Sequence, residues 1–191
     1  MGKADEFGAP VEIDTGARVV RITNPDKVRF PSVGPAKEQR SKLDLARYYV
    51  AVADALMPTV LDRPVLLERY PNGVREKSFF QKRIPDSAPD WLVTTTVETI
   101  NGTPSRALVI ADLAHVLWAV NMGVLGLHVW PFRATTPEDH DEMRIDLDPS
   151  PGVTFDMVRE SAGHVRDLLA ELGMIGFPKT TGSKGIHVYV R

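Results

Sequence analysis

Hydrophobic positions along the chain follow two periods, and the switches between them mark its elements. The first residues, up to about Gly16, are polar and aperiodic and predict a mobile tail. Residues 18–22 are β-rich, and the turn signal Asn24-Pro25-Asp26 ends that stretch. Leu45, Tyr48, Tyr49, Val52 and Leu56 then recur at three- and four-residue spacing, which predicts a helix over 41–56. Ser41 is its N-cap, Asp44 holds the capping-box position, and Pro58 closes the pattern. Residues 64–70 and 74–82 flank Pro71-Asn72-Gly73 and predict a hairpin; residues 91–100 and 106–110 around Asn101-Gly102 repeat the arrangement. A short helix capped by Asp112 is expected over 112–122, with strands over 127–132 and 143–148. Phe155, Val158, Ala162, Val165, Leu169 and Leu172 share one helical face, with Thr154 as cap and Gly173 as stop. A strand over 186–190 ends the chain. Strands and helices mix without βαβ repetition, so the class is α+β.

Composition narrows the setting. Of 191 residues 43% are hydrophobic and 25% charged, the balance of a folded protein. Apolar runs fall short of the roughly 20 residues that cross a bilayer, the start lacks the apolar core of a secretion signal, and Glu6 spoils a myristoylation signal at Gly2. The absence of cysteine removes disulfides and thiolate metal sites, so cytoplasmic residence is expected. The net charge of −2 hides an asymmetry. Between residues 17 and 42, Arg18, Arg21, Lys27, Arg29, Lys37, Arg40 and Lys42 face only Asp26 and Glu38, and residues 63–83 are also basic. From 133 to 160 acids dominate. A basic half and an acidic cluster suit a site where polyanions meet carboxylate-held cations, or an ordinary mixed surface.

Four runs carry candidate chemistry. In MRIDLDPSPG, Asp146 and Asp148 share one side of a strand while Ile145 and Leu147 take the other, and Pro149 ends the strand at once. Two carboxylates about 7 Å apart can hold divalent cations, or can merely end a strand. In the run from Lys179 to His187, Gly182 and Gly185 permit a tight loop bearing Thr181, Ser183 and Lys184, a phosphate cradle or a polar turn; its spacing is not that of a P-loop. Phe79 and Phe80, between Lys77 and Lys82-Arg83, face opposite sides of a strand, so one can be core while the other is an exposed base-stacking ring, or both can be core. His128 lies on a strand beside aromatic residues, as a ligand or a structural histidine, while His115, His140 and His164 lack metal-ligand spacing.

Taken in order, Asn24-Pro-Asp-Lys-Val28, Phe79-Phe-Gln-Lys82, His128-Val-Trp-Pro, Ile145-Asp-Leu-Asp-Pro149 and Thr181-Gly-Ser-Lys-Gly-Ile-His187 form a specific set. From about Arg18 to Arg191 the chain resembles the polymerase domain of bacterial ATP-dependent DNA ligase D, especially its stand-alone actinobacterial relatives in the archaeo-eukaryotic primase superfamily. The resemblance implies a primase-polymerase-like fold with a mixed or antiparallel palm sheet over 17–191. It implies DNA repair by non-homologous end joining, with (ribo)nucleotides added to a primer 3′-hydroxyl by a two-metal mechanism. Asp146 and Asp148 would be the catalytic ligands of Mg²⁺ or Mn²⁺. Arg69, Lys82, His128, Thr181 (usually Ser in the family), Lys184 and His187 would bind the nucleotide. Asn24, Lys27 and Lys37 would grip the 5′-phosphate of a break, and Phe79 and Phe80 would stack on template DNA. Partners would be 5′-phosphorylated DNA, nucleoside triphosphates with ribonucleotides preferred, and end-joining Ku and ligase proteins; the location would be nucleoid-associated.

The chain stops at Arg191, directly after an apolar strand, which reads as a cut, and the family's third metal carboxylate belongs to a later strand. The domain is therefore expected as its N-terminal portion. Two other readings follow: a catalytically incomplete module that binds DNA ends, and a product unstable on its own.

Overall fold

The computed structural model describes residues 6–33, 38–98 and 102–191. They fall into two compact units, residues 1–130 and 131–191, where the sequence had suggested one continuous domain after the tail.

Unit 1 begins with a hairpin, β1 (Val11–Asp14) against β2 (Val19–Ile22), so the expected tail is strand from Val11 onward. Four alternating residues are too few for a periodic signal, but pairing with β2 half-buries Val11 and Ile13. Next, β3 (Val28–Phe30) pairs with β4 (Arg40–Ser41). The helix expected over 41–56 is two, α1 (Lys42–Ala51) and α2 (Ala53–Val60), broken at Val52. Ser41 caps α1 with the full capping box to Asp44. Pro58 lies inside α2, which runs on only to Val60.

A five-stranded antiparallel sheet follows: β5 (Pro64–Arg69), β6 (Phe79–Gln81), β7 (Thr94–Glu98), β8 (Pro104–Val109) and, after α3 (Leu113–Asn121), β9 (Val124–Val129). β5 is central, with β9 along one edge and β8 and β6 sharing the other. The β5–β6 hairpin is not closed by a two-residue Asn-Gly turn. Gly73 N–H closes a turn on the Tyr70 carbonyl, and Val74 N–H then goes to Arg29, drawing the chain away before β6 returns. Residues 99–101, in the second expected hairpin turn, lie outside the described residues.

α3 is the axis of the unit. Its residues Ala114 to Val120 are all buried, as befits a helix apolar on every side. On one side Val116, Trp118 and Ala119 meet Val65, Leu67, Leu108 and Val124 of the sheet. On the other, Ala114, Leu117 and Val120 meet Ala46 of α1 and Val20 and Ile22 of β2. Asp112 caps α3 and binds Nδ1 of buried His115 at 2.8 Å, while Nε2 accepts the Val93 N–H, a fully satisfied structural histidine.

Unit 2 starts with β10 (Phe132–Arg133) against β11 (Thr136–His140) and continues into β12 (Met143–Leu147), α4 (Phe155–Glu171), β13 (Gly176–Thr180) and β14 (Ile186–Val190). The last three strands form an antiparallel sheet in the order β12-β14-β13. Val158, Ala162, Val165 and Leu169 of α4 cover one face, against Ile145, Leu147, Ile186, Val188 and Val190. Phe155 and Leu172, at the ends of the expected helical face, are exposed. β13 was not foreseen; it contains Pro178 and pairs only with β14, an edge position where proline is tolerated. Buried Glu142 accepts from Arg144 and Arg191 at 2.7 and 3.1 Å, tying β12 to the residue that follows β14.

Candidate functional site

The uncovered face of the unit 2 sheet carries the acidic candidates. Register places Asp146, His187 and Lys179 in one cross-strand row, with Arg144, Tyr189 and Phe177 in the next. Asp146 is exposed, and its Oδ1 lies 3.4 Å from His187 Nε2. Asp148, one step past the end of β12, is exposed and lies over the loop between β13 and β14. A Cβ at Gly185 would stand 2.7 Å from Asp148 Oδ1, so the carboxylate can approach there only because residue 185 is glycine. Thr181 Oγ1 organises the same loop by accepting the Gly185 N–H at 3.2 Å and the Ser183 N–H at 3.4 Å. Its O–H proton stays available to a ligand. Lys184 is exposed in this loop. Asp146 and Asp148 are thus two hard oxygen donors on an open face, the donor type that Mg²⁺ and Mn²⁺ take. Among the described residues no group of three or more His, Asp or Glu side chains is placed to hold a metal ion, so the pair fits part of such a site.

In unit 1 a second group gathers where β5, β6 and β9 lie side by side. Glu68 pairs with Phe80 and Gly126 in the sheet, and His128 pairs with Leu66 on the same face. The Glu68 carboxylate lies against Gly126, where a Cβ would come within 2.7 Å of Oε2. It receives hydrogen bonds from Tyr70 Oη at 2.7 Å and Ser78 Oγ at 3.2 Å, and Oε2 is 3.2 Å from His128 Nε2. Desolvation pushes its pKa up, but the bonds from Tyr70, His128 and Ser78 outweigh that and hold it below the usual carboxylate range. Phe80 meets the His128 ring edge-on at 5.4 Å. Across the sheet, Arg69 donates to the Met122 carbonyl and to Gln81 and lies 5.2 Å from the Phe79 ring centre. Neither phenylalanine is core: Phe79 is 46% and Phe80 54% exposed. Lys82 is exposed just beyond β6.

A third group sits on two turns. Asn24 opens the first, in the left-handed region at φ 50°, and its carbonyl accepts the Lys27 N–H. The second is Pro71-Asn72-Gly73, and Lys27 Nζ reaches Asn72 Oδ1 at 3.4 Å to join the two. Beneath the first turn lies Lys42, only 3% exposed, whose ammonium donates to Thr23 O at 2.6 Å and to Asn121. Beneath the second lies Arg29, also 3% exposed, donating to the carbonyls of Tyr70 at 2.9 Å and Pro71 at 2.7 Å. Its Nε has no hydrogen-bond partner. Burial, then the charges of Arg29 and Lys27, push Lys42 down to about 8. Burial and the Arg69 charge lower Arg29 as well. Lys37 lies outside the described residues.

The expected residues therefore form three groups: Asn24 and Lys27; Arg69, Lys82, His128, Phe79 and Phe80; and Asp146, Asp148, Thr181, Lys184 and His187. Sequence reasoning missed Glu68, Arg29 and Lys42. Glu68 shows itself only through strand pairing. Lys42 carried a signal: it is the first residue of α1, where a cation opposes the helix dipole, so its placement there needs another reason.

The chain matches the family model described as LigD, primase-polymerase domain, over residues 41–191. It is 37% identical to the multifunctional non-homologous end joining protein LigD of Mycolicibacterium smegmatis over 173 residues, 90% of this chain and 22% of that protein. It is 35% identical to the bifunctional non-homologous end joining protein LigD of Bacillus subtilis, covering 92% of this chain and 29% of that one. The chain thus spans less than a third of the length of these relatives. Among solved structures it is similar to the polymerase domain of Mycobacterium tuberculosis ligase D in complex with DNA, with a TM-score of 0.78 and 35% identity over 90% of this chain and 60% of that one.

Proposed function

Starting from the fact that this chain belongs to the LigD primase-polymerase domain family, we propose that it is the nucleotidyl-transfer part of an end-joining DNA repair protein. The observation that carries this reading is the exposed pair Asp146 and Asp148 on an uncovered sheet face, beside the Thr181–Gly185 loop.

In the reaction a primer 3′-hydroxyl attacks the α-phosphorus of a nucleoside triphosphate, a new P–O bond forms, and pyrophosphate leaves with the electron pair of the broken bond. Asp146 and Asp148 would hold Mg²⁺ or Mn²⁺, which would supply the charge that neutralises the triphosphate and eases loss of the hydroxyl proton to solvent. The side chains bind and orient. Thr181 O–H, Lys184 and His187 hold phosphate oxygens, and Arg69, Lys82 and His128 contact the nucleotide. Phe79 and Phe80 stack on unpaired template bases, which exposed rings beside basic residues suit. Asn24 and Lys27, together with Lys37, hold the 5′-phosphate across the break. Ribonucleotides are the preferred substrates, and Ku and a ligase activity are the partners.

Primer extension by the full-length protein on a templated, 5′-phosphorylated end tests this. Extension that disappears in Asp146→Ala supports the reading, and undiminished extension in that variant overturns it. A second reading, a DNA-end-binding module without transfer, draws on the grouping of only two metal-type carboxylates among the described residues. Phosphate-dependent end binding by a full-length protein that extends no primer with either cation would favour it.

A further inference from the structure

Two buried cations lie directly below the turns that carry Asn24, Lys27 and Asn72, and the transfer chemistry makes no use of them. Lys42 holds the Thr23 carbonyl, one residue before Asn24. Arg29 holds the Tyr70 and Pro71 carbonyls, immediately before Asn72. Each buried charge thus fixes one turn, and Lys27 links the turns through Asn72. Carbonyl dipoles solvate these cations without cancelling them. No carboxylate partners Lys27, Arg29 or Lys42 among the described residues, and Arg29 Nε is left without a hydrogen bond. Like charges held this way leave a positive pole whose field emerges at the least buried of the three, the half-buried Lys27.

We propose that Arg29 and Lys42 make this pair of turns selective for a dianionic terminal phosphate over a singly charged phosphodiester, with Arg29 as the residue that sets the preference. The inference rests on the reading that these turns take the 5′-phosphate of a break, and adds to it how an end is told from the interior of a strand. A terminal phosphate carries close to two charges at neutral pH, whereas an internal diester carries one. The surface groups Asn24, Lys27 and Asn72 can hydrogen-bond to either. A field from fixed buried charge acts in proportion to ligand charge, so it separates the two where hydrogen bonds do not. At an effective dielectric near 20, one additional charge about 10 Å from a buried cation gains enough to change affinity by about tenfold.

The test compares binding of full-length protein to three duplexes of one sequence, whose recessed 5′ end bears a phosphate, a methyl phosphate diester or a hydroxyl. The expected order is phosphate about tenfold tighter than methyl phosphate, and methyl phosphate tighter than hydroxyl by about the same factor, since each added charge gains equally in a fixed field. Equal affinity for phosphate and methyl phosphate, both above hydroxyl, would overturn the charge-selection inference while leaving the phosphate-site reading intact. Equal affinity for all three would overturn that reading itself. Arg29→Gln keeps amide donors for the two carbonyls but removes the charge, and should shrink the phosphate to methyl phosphate ratio to about twofold. Arg29→Lys, which restores charge, should recover most of it. An undiminished ratio in a folded Arg29→Gln variant would remove Arg29 from the account. The three-duplex comparison on the unmodified protein stands however the variants fold.

Discussion

Each of the two units gathers charges of one sign, and they do so in opposite ways. In unit 2 Asp146 and Asp148 stand exposed on an open sheet face, one with a histidine at 3.4 Å and the other laid over a glycine. In unit 1 Arg29 and Lys42 are buried and bonded to backbone carbonyls, and only Lys27 reaches the surface. Exposed charges are solvated until a counterion arrives, so they can exchange metal and substrate at little energetic penalty. Buried charges are fixed, cannot be solvated anew, and act through their field and through the turns they brace. The contrast supports the proposed division in which the unit 2 carboxylates hold the metal ions of transfer and the buried unit 1 cations read a DNA end.

The largest expected effect breaks the unit 2 side alone. Asp146→Ala should lower primer extension by the full-length protein at least about a hundredfold, with an unchanged melting profile, because a ligand is lost from a position already in water. Gly185→Ala comes next. Its Cβ would contact Asp148 Oδ1 at 2.7 Å and push the carboxylate off the loop, costing roughly tenfold or more in extension rate. A rate within twofold of wild type would show that the placement of Asp148 does not matter. On the unit 1 side, Glu68→Ala removes the acceptor shared by Tyr70, Ser78 and His128. Nucleotide KM should rise by roughly three- to tenfold with a smaller change in kcat if Glu68 orients a His128 that contacts the nucleotide, as proposed. A pure loss of kcat would contradict that role.

The smallest effect concerns Lys42, whose pKa of about 8 lies below its ordinary 10.5. Below pH 8 the lysine is charged both folded and unfolded, so the full burial penalty applies. Between about 8 and 10.5 only the unfolded chain keeps the proton, and stability should rise with pH, an increment absent from Lys42→Met. The preference for a 5′-phosphate should decline over the same rise, because the buried charge disappears. Constant stability and constant preference from pH 7 to 10 in the wild type would refute the burial of a titrating ammonium.

The acidic side was far more legible in the sequence than the basic side. Asp146 and Asp148 stand two apart in a run that Pro149 ends at once, and strand parity suggested one side for both, although β12 itself stops at Leu147. α4, α1 with its Ser41–Asp44 capping box, and the α+β class were equally readable, because each rests on local spacing and element order. Arg29 was not, since alternation in Val28-Arg29-Phe30 points the arginine outward, whereas the fold buries it and leaves both neighbours only half-buried. Glu68 was hidden because its partners come from the segment between β5 and β6 and from β9. The β-strands at Val11–Asp14 and Gly176–Thr180 were missed for a related reason: pairing partners, not their own composition, make them strands.

The division of labour is tested most directly by the 5′-phosphate preference of full-length Asp146→Ala, measured as the ratio of affinities for phosphorylated and hydroxyl-ended duplex in the presence of Mn²⁺. The account predicts a ratio within about twofold of wild type in a protein that no longer extends a primer, because the charges that read the end belong to unit 1. Loss of the preference together with extension, in a variant that still melts cooperatively, would contradict it.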